Sequence, residues 1–348
     1  MKIAILTPTF NYYSGVDRVA QERAEYYSKK GNDVTVFALE AKIKPKGYKI
    51  IELGRPKSQF IERIYRLFPF LYFNKNVIKK LKEFNQVISL NEPLDFLAAQ
   101  AKKRYGLRYI AWFSGFYAHG ENLLEKIYMI IFRYFYLKHL RQADKIICVS
   151  NYVRNKLIET GIDINKTDIE YNKIDSKRFN RSVRKLNLSN VNKIIKKYNL
   201  ENKNVFLYVG RLSTNKRVDL LIKMFKMEKL PNSKLLIVGK PTFKGYFKKL
   251  LSMADEDVIF TDFVADEDLP AYYAVSDVYV TASSEEGFNL PALEAQACGK
   301  PVVAFDVGSH KEVIKKGKVT LVPEGDIQGF TNAMNNYANS INSKRHFI

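Results

Sequence analysis

Two successive series of short apolar runs, separated by helical patterns, constrain the fold of this chain most strongly. Runs of three to six residues suit strands that are buried on both faces of a sheet. The candidate strands are 2–7, 34–38, 86–90, 108–113 and 145–149, and then 205–209, 235–238, 258–260, 278–280, 302–305 and 319–322. Strands that alternate with helices in this way indicate parallel sheets, so the pattern predicts two doubly wound α/β domains.

A polar segment rich in Lys and Asn separates the two series and predicts a domain boundary. We expect an N-terminal domain at 1–180, a linker region at 181–203 and a C-terminal domain at 204–348. A length of 348 residues agrees with two domains of ordinary size. Ligands of such sheets bind at the carboxyl ends of the strands, so two Rossmann-like domains facing one another predict a cleft.

The charge balance indicates an anionic partner. The chain has 57 Lys and Arg against 36 Asp and Glu, a net charge of +21. Nucleic acid, a membrane surface and phosphorylated substrates would all satisfy such a charge. The only two cysteines, Cys148 and Cys298, exclude a disulfide scaffold and a four-cysteine zinc site, which favours a reducing compartment. The apolar run at the N-terminus is short, and we expect neither a signal peptide nor a spanning helix.

The segment SEEGFNLPALEA at 284–295 is the most specific stretch of the sequence. Pro291 suits the first turn of a helix, and the backbone N–H groups of residues 287–290 would then form an anion site at its N-terminus. Glu286 lies before this helix and Glu294 about one turn inside it, so the two carboxylates can contact different parts of one extended ligand. Vicinal hydroxyls of a sugar or ribose are natural donors to such carboxylates.

Glu286 and Glu294 enclose seven residues, with Gly-Phe directly after the first Glu, and this pattern resembles the E-x7-E signature of retaining GT4 glycosyltransferases of the GT-B superfamily. Four other segments resemble parts of that family in the same order. They are ADKIICVSN at 143–151, NKID at 172–175, YVGRL at 208–212 with Lys216, and CGKPVV at 298–303.

The resemblance implies a GT-B fold and a function. A glycosyltransferase of hexosyltransferase type would move a sugar, with retention, from a nucleotide-diphosphate-sugar donor to a hydroxyl of a saccharide or lipid-linked acceptor. Arg211 and Lys216 would hold the donor diphosphate and act in catalysis, because a leaving diphosphate develops charge that cations stabilise. Glu286 would bind the transferred sugar and act in catalysis, and Glu294 would bind the ribose hydroxyls.

Further residues acquire roles from the same resemblance. The histidine beside the donor sugar would be His119, with Ser114 as the alternative at that position. Val264 would lie by the nucleotide base. The remaining substrate-binding positions are in loops and at a helix start, namely Gly15, Gly210, Gly287, Phe288, Asn289 and Leu290. No cofactor and no metal are expected, since the sequence has no acidic D-x-D after an N-domain strand and only four dispersed histidines.

Two other functions remain open at this stage. One is another GT-B activity, such as a glucan synthase or a phosphorylase. The other is a basic nucleic-acid-binding protein, which the charge would suit. We expect no nucleic-acid partner, because the sequence has no helix-turn-helix, zinc or RNA-binding signature.

Two stretches of the first domain mix large aromatic residues with Arg and Lys, at 60–73 and 127–138. They are either core helices or an interfacial surface that docks on an anionic bilayer. We expect a cytoplasmic enzyme and, with the second alternative, peripheral contact with the inner face of the membrane.

Overall fold

The chain forms two compact units, Met1–Asn172 and Lys173–Ile348. The computed structural model describes residues 1–11, 15–56, 58–73, 75–90, 93–116, 123–227, 230–315 and 317–345. The prediction of two parallel α/β domains is confirmed. The division between them lies at 172/173, upstream of the predicted linker.

The described part of the first unit holds a seven-stranded parallel sheet in the order β3-β2-β1-β4-β5-β6-β7. Its strands are β1 Lys2–Phe10, β2 Asp33–Ala41, β3 Lys49–Glu52, β4 Gln86–Leu90, β5 Arg108–Phe113, β6 Lys145–Cys148 and β7 Thr167–Ile169. Its helices are α1 Gly15–Lys29, α2 Gln59–Leu67, α3 Pro69–Tyr72, α4 Lys75–Lys80, α5 Asp95–Tyr105, α6 Leu123–Leu140 and α7 Asn151–Ile158. The order around β1 is that of a Rossmann-like sheet.

The second unit repeats this plan in its described residues, with a six-stranded sheet in the order β10-β9-β8-β11-β12-β13. Its strands are β8 Asn204–Val209, β9 Ser233–Val238, β10 Val258–Phe260, β11 Val278–Thr281, β12 Val302–Phe305 and β13 Val319–Val322. Its helices are α8 Val183–Leu186, α9 Leu188–Lys197, α10 Val218–Met227, α11 Lys244–Met253, α12 Leu269–Val275, α13 Leu290–Ala297, α14 His310–Val313 and α15 Ile327–Arg345.

The predicted linker at 181–203 is wrong, because this segment folds as α8 and α9 of the second unit. Both helices pack against α12. Val183, Val191 and Ile194 are buried in the same cluster as Val205 and Leu207 of β8. These apolar residues lie on one face of the segment. Exposed Lys and Asn residues occupy its other faces and give the segment a polar composition, which is why a linker was predicted.

The strand predictions are confirmed in the second unit, and two strands of the first were missed. β3 and β7 are only four and three residues long and lie at the two edges of their sheet. Strands this short and partly polar give no clear apolar run. The aromatic and basic stretch predicted at 60–73 lies in two helices, α2 and α3, with Pro69 at the start of α3.

Burial on both faces fixes the central strand β8 of the second sheet. Phe206 and Tyr208 point into a core cluster that includes residues of α10, α11 and α15. Val205 and Leu207 point into the opposite cluster, which includes residues of α9, α12 and α13. This alternation is the period of two expected for a strand, and it holds the loop that follows Val209 in place. No helix in the described residues is long and apolar enough to cross a membrane.

Candidate functional site

The loops that follow β8, β9 and β10 come together at the carboxyl edge of the second sheet. A Cβ added to Gly239, after β9, would lie 1.8 Å from the Gly210 carbonyl oxygen, and Gly239 has φ +153°. The Gly239 N–H donates to the Asp262 carbonyl over 3.2 Å. Only glycine allows the two backbones to approach this closely, so the edge presents a compact set of loops.

The loop after β8 carries two of the predicted cation positions. The Tyr208 hydroxyl donates to the Arg211 carbonyl over 3.0 Å. The Ser284 N–H donates to the Asn215 carbonyl over 2.9 Å, which joins this loop to the one after β11. Arg211 is exposed, and its guanidinium forms no ion pair within the part of the chain that the structure describes.

Lys216 pairs with Glu286 in the same loop arrangement. Its Nζ lies 2.6 Å from Glu286 Oε1, and the Ser283 hydroxyl donates to that oxygen over 2.8 Å. Burial acts to raise the pKa of Glu286, but Lys216, His310 and the Ser283 hydrogen bond outweigh it and hold that pKa below its usual value. Glu286 is therefore an ionised, largely buried carboxylate beside a cation.

The loop after β12 holds the backbone of Glu286. The Ser309 N–H donates to the Glu286 carbonyl over 3.0 Å. Gly308 has φ +58°, and an added Cβ there would lie 2.2 Å from the same carbonyl oxygen. Sequence reasoning missed Gly308; the available signal was a glycine close after the buried strand β12.

A buried contact between Asn289 and His310 organises the start of α13. The His310 Nδ1 lies 2.6 Å from the Phe305 carbonyl, which can only accept, so Nδ1 carries the proton. The His310 Nε2 therefore accepts from Asn289 Nδ2, over 2.8 Å. Burial lowers the pKa of His310, with a partial offset from Glu286, which favours this neutral tautomer. Sequence reasoning gave His310 no role.

Asn289 combines two functions in this loop. It has a left-handed backbone, with φ +57°, and its side-chain oxygen accepts from the Ala292 N–H over 3.3 Å as the N-cap of α13. The predicted first-turn position of Pro291 is confirmed. Gly287 and the buried residues Phe288 and Leu290 lie in the same short segment as Asn289.

Glu294 is almost completely buried on α13, with 2% of its surface exposed. Its Oε2 accepts from the Tyr273 hydroxyl over 2.8 Å. Tyr279 of β11 lies near both acidic residues: burial raises its pKa well above the usual range, and Tyr208, Glu286 and Glu294 add to this. The two carboxylates of the predicted pair are therefore brought into one neighbourhood.

The other predicted residues have the following positions. Val264 follows β10 and packs, partly buried, against the cluster that contains α12. Gly15 begins α1 of the first unit, and Ser114 follows β5 directly. His119 lies outside the described residues. Among the residues with described placement, no group of three metal-ligating side chains occurs.

The chain belongs to a family of glycosyltransferases, as two family models covering most of its length show. The model described as Glycosyltransferase Family 4 matches residues 13–178, and the model described as Glycosyl transferases group 1 matches residues 190–348. This membership favours sugar transfer over the nucleic-acid-binding alternative. The predicted resemblance to GT4 enzymes is thereby confirmed at the level of the family.

Individual relatives match parts of the chain. An uncharacterized 41.2 kDa protein in the cps region of Klebsiella pneumoniae is 31% identical over 218 residues, 62% of this chain and 56% of that protein. The D-inositol 3-phosphate glycosyltransferase of a Mycobacterium species (strain KMS) is 34% identical over 128 residues, 35% of this chain and 29% of the enzyme. The chain thus spans between 29% and 56% of the length of the curated relatives named here.

Solved structures match over nearly the whole chain and show the fold. HepE of Anabaena in complex with UDP-glucose has a TM-score of 0.78 at 19% identity and covers 99% of this chain and 91% of its own. A sucrose-phosphate synthase from Thermosynechococcus elongatus has a TM-score of 0.77 at 19% identity, covering 97% and 89%. The predicted GT-B class, with its two parallel-sheet α/β domains, is confirmed.

Proposed function

We propose that the protein is a retaining glycosyltransferase that moves a hexosyl group from a nucleotide-diphosphate sugar to an acceptor hydroxyl. The acceptor would be a saccharide or a lipid-linked saccharide. The observation that carries this proposal is the Lys216–Glu286 ion pair, whose side chains are only 17% and 10% exposed. Its lysine shares the loop after β8 with the exposed Arg211, in a chain of glycosyltransferase family. The fold that the chain shares with HepE, whose structure contains UDP-glucose, supports a donor of the same kind.

The donor diphosphate would bind between Arg211 and Lys216. When the glycosidic bond breaks, negative charge accumulates on the leaving diphosphate, and fixed cations stabilise it in the transition state. The 2.6 Å pair with Glu286 holds Lys216 in position beforehand. A diphosphate would then share the Lys216 ammonium, which has three N–H donors, with the carboxylate.

Glu286 and Glu294 would contact different parts of the donor. Glu286 is ionised and close to Lys216, so it can bind hydroxyls of the transferred sugar and offset positive charge that develops on its ring. Glu294 is fixed by Tyr273 and would accept from the ribose hydroxyls, since a carboxylate offers about four lone-pair sites. Residues 287–290 would line the sugar and phosphate, and Val264 the base.

We further propose that transfer needs no metal and no cofactor, because Arg211 and Lys216 would supply the positive charge at the diphosphate. The enzyme would act in the cytoplasm, in peripheral contact with the membrane. Cys148 and Cys298 support a reducing compartment: both are free and buried, and burial raises each thiol pKa to about 12.

An assay of sugar transfer tests this proposal. The protein is incubated with UDP-, GDP- and ADP-sugars and a panel of saccharide acceptors, and the products are examined by NMR. We expect release of a nucleoside diphosphate and a product with the donor's anomeric configuration, at an unchanged rate in EDTA. An inverted product would contradict retention, and loss of activity in EDTA would contradict metal independence. Transfer from no nucleotide sugar, with a protein that binds none, would contradict the function itself.

A further inference from the structure

Helix α6 of the first unit carries an apolar stripe on its solvent-facing side. Six large apolar residues are exposed by 40–78% of their surface: Leu123, Leu124, Ile127, Ile130, Ile131 and Tyr134. Their spacing of one, three or four residues places them on a single face of the helix. Phe132, Tyr136 and Leu140 are buried on the other side. The helix is thus apolar both toward the core and toward solvent, which core packing alone does not explain.

The segment containing α2 and α3 extends this apolar surface. Phe60, Phe70 and Leu71 are exposed by 72%, 60% and 59%. The Tyr128 hydroxyl of α6 donates to the Arg63 carbonyl of α2 over 3.3 Å, so the helices are direct neighbours. We call the exposed apolar residues of α2, α3 and α6 the docking face. Contiguous exposed apolar surface of this kind marks an interaction site in a soluble protein.

Basic residues accompany the docking face and outnumber the acidic ones. Helices α2, α3 and α6 contain five Lys and Arg against two Glu. Each Glu is paired within the same group of residues: Glu62 with Arg66 at 2.9 Å, and Glu125 with Arg63 at 3.4 Å. Lys126, Arg133 and Lys138 are exposed on α6 itself. Both acidic residues are paired, and the three exposed basic residues of α6 leave the surroundings of the apolar stripe cationic.

We propose that the docking face binds the surface of an anionic phospholipid bilayer, with α6 lying in the plane of the interface. Large apolar side chains would enter the boundary between headgroups and acyl chains, while Lys and Arg contact the anionic headgroups. The inference rests on the peripheral membrane contact of the proposed function and names the surface that makes it. A second copy of the chain, the other occupant an apolar face could have, would not account for the cationic border.

Vesicle co-sedimentation of the full chain tests this inference. The vesicles consist of phosphatidylcholine alone or of phosphatidylcholine mixed with phosphatidylglycerol. We expect the protein to pellet with the mixed vesicles at low salt and to be released at ~1 M NaCl, where the screening length falls to about 3 Å. Absence of binding to the mixed vesicles, or equal binding to both kinds, would overturn the proposal.

Two variants assign the binding to the docking face. The charge reversal Lys126→Glu with Arg133→Glu is expected to weaken binding at least about 25-fold, since each basic residue near an anionic surface contributes roughly fivefold. Its matched control, Lys193→Glu with Lys196→Glu, changes the net charge equally on the exposed side of α9 and should bind more tightly than the docking-face variant. Equal loss in both variants would show an effect of net charge alone and would overturn the proposal.

The apolar contribution is tested with Leu124→Ser, Ile130→Ser and Ile131→Ser in one chain. Loss of vesicle binding is expected, whereas Leu186→Ser with Leu188→Ser, exposed by 64% and 55% on the second unit, should bind as the unchanged protein does. Full vesicle binding by the triple variant would overturn the proposal. It would also be overturned if the unchanged protein bound no vesicles but formed a dimer, and the triple variant were a monomer. Thermal stabilisation by a nucleotide sugar, measured on the same samples, reports separately on the proposed donor site.

Discussion

Glu286 and Glu294 differ in their immediate contacts, and the difference predicts separate kinetic effects. Glu286→Gln keeps the shape but removes the charge beside Lys216. If Glu286 faces the transferred sugar, kcat should fall about 100-fold or more, on the order of 3 kcal/mol, with little change in donor affinity. Glu294→Gln should mainly raise the donor KM, because contacts with the ribose are alike in the ground and transition states.

Steady-state kinetics of both variants, with a donor identified from the panel, measure this difference. Glu285→Gln, one residue before the proposed contact, is the matched control and should leave kcat near that of the unchanged enzyme. The same kinetic pattern in Glu286→Gln and Glu294→Gln, or an intact kcat in Glu286→Gln, would refute the separate roles.

The hydrogen bonds of His310 predict that donor affinity is lost at acidic pH. Its neutral Nε2 accepts from Asn289 Nδ2. Protonation would turn Nε2 into a donor that faces the Asn289 amide donor, and this hydrogen bond at the start of α13 would be lost. Glu286, Lys216 and Asp306 are the charged groups that act on it, and burial makes its folded-state pKa lower than the unfolded value of 6.5. Between those two pKa values the unfolded chain binds more protons, so the free energy of unfolding should fall as the pH drops below about 6.5. Donor affinity should fall only at the lower folded-state pKa, where His310 itself takes up a proton.

His310→Gln tests this role, since a glutamine oxygen can accept from Asn289 without titrating. We expect the variant to bind donor nearly as well as the unchanged protein at neutral pH and to lose less affinity than that protein as the solution is acidified. His139→Gln is the control, because burial lowers the His139 pKa to about 4 in the first unit, away from Asn289. A steep acid loss of donor affinity in His310→Gln, equal to that in His139→Gln, would argue against the role of His310.

The candidate site could be predicted from the sequence only where its residues are close in the chain. Glu286, Glu294 and Pro291 lie within one segment, and the helix start between the two acids follows from their spacing. Gly308 and His310 lie about twenty residues further on and reach this segment through a different loop. Periodicity carries no information on which loops meet at a sheet edge, so their contacts appeared only in the structure.

Helix α9 is an integral part of the second unit rather than a linker. Ile194→Ala removes a side chain that is 7% exposed and buried against α12, and we expect the free energy of unfolding to fall by about 2–4 kcal/mol. Asn192→Ala, on the exposed side of the same helix, should change it by less than about 0.5 kcal/mol. Urea unfolding followed by circular dichroism gives the free energy of unfolding of both variants. Equally small changes in the two variants would indicate that the segment is a linker after all.

Strands that are buried on both faces were predictable, and the two edge strands of the first sheet were not. β8 and β12 are continuous apolar runs because helices cover both sides of the sheet. β3 and β7 have one neighbour each, and polar residues such as Lys49, Glu52 and Asp168 interrupt their apolar character.

For the whole molecule, the net charge of +21 alone could not distinguish among anionic partners. The structure separates two cationic regions of different character. One is the pair Arg211 and Lys216 at the carboxyl edge of the second sheet, which suits a small phosphorylated ligand. The other is the basic border of the docking face, which accompanies exposed apolar residues. Neither region could be assigned from composition, because both assignments depend on burial.

Thermal unfolding against a panel of UDP-, GDP- and ADP-sugars measures whether the second unit binds a nucleotide-diphosphate sugar. A ligand at ~100 times its Kd adds about 2.7 kcal/mol to the stability of the folded state, which raises Tm by an easily measured amount. We predict a rise with sugars of one nucleotide, absent with the free sugar and lost when Arg211 and Lys216 are both replaced by Ala. No rise with any of these donors, or an equal rise in the double variant, would contradict the account.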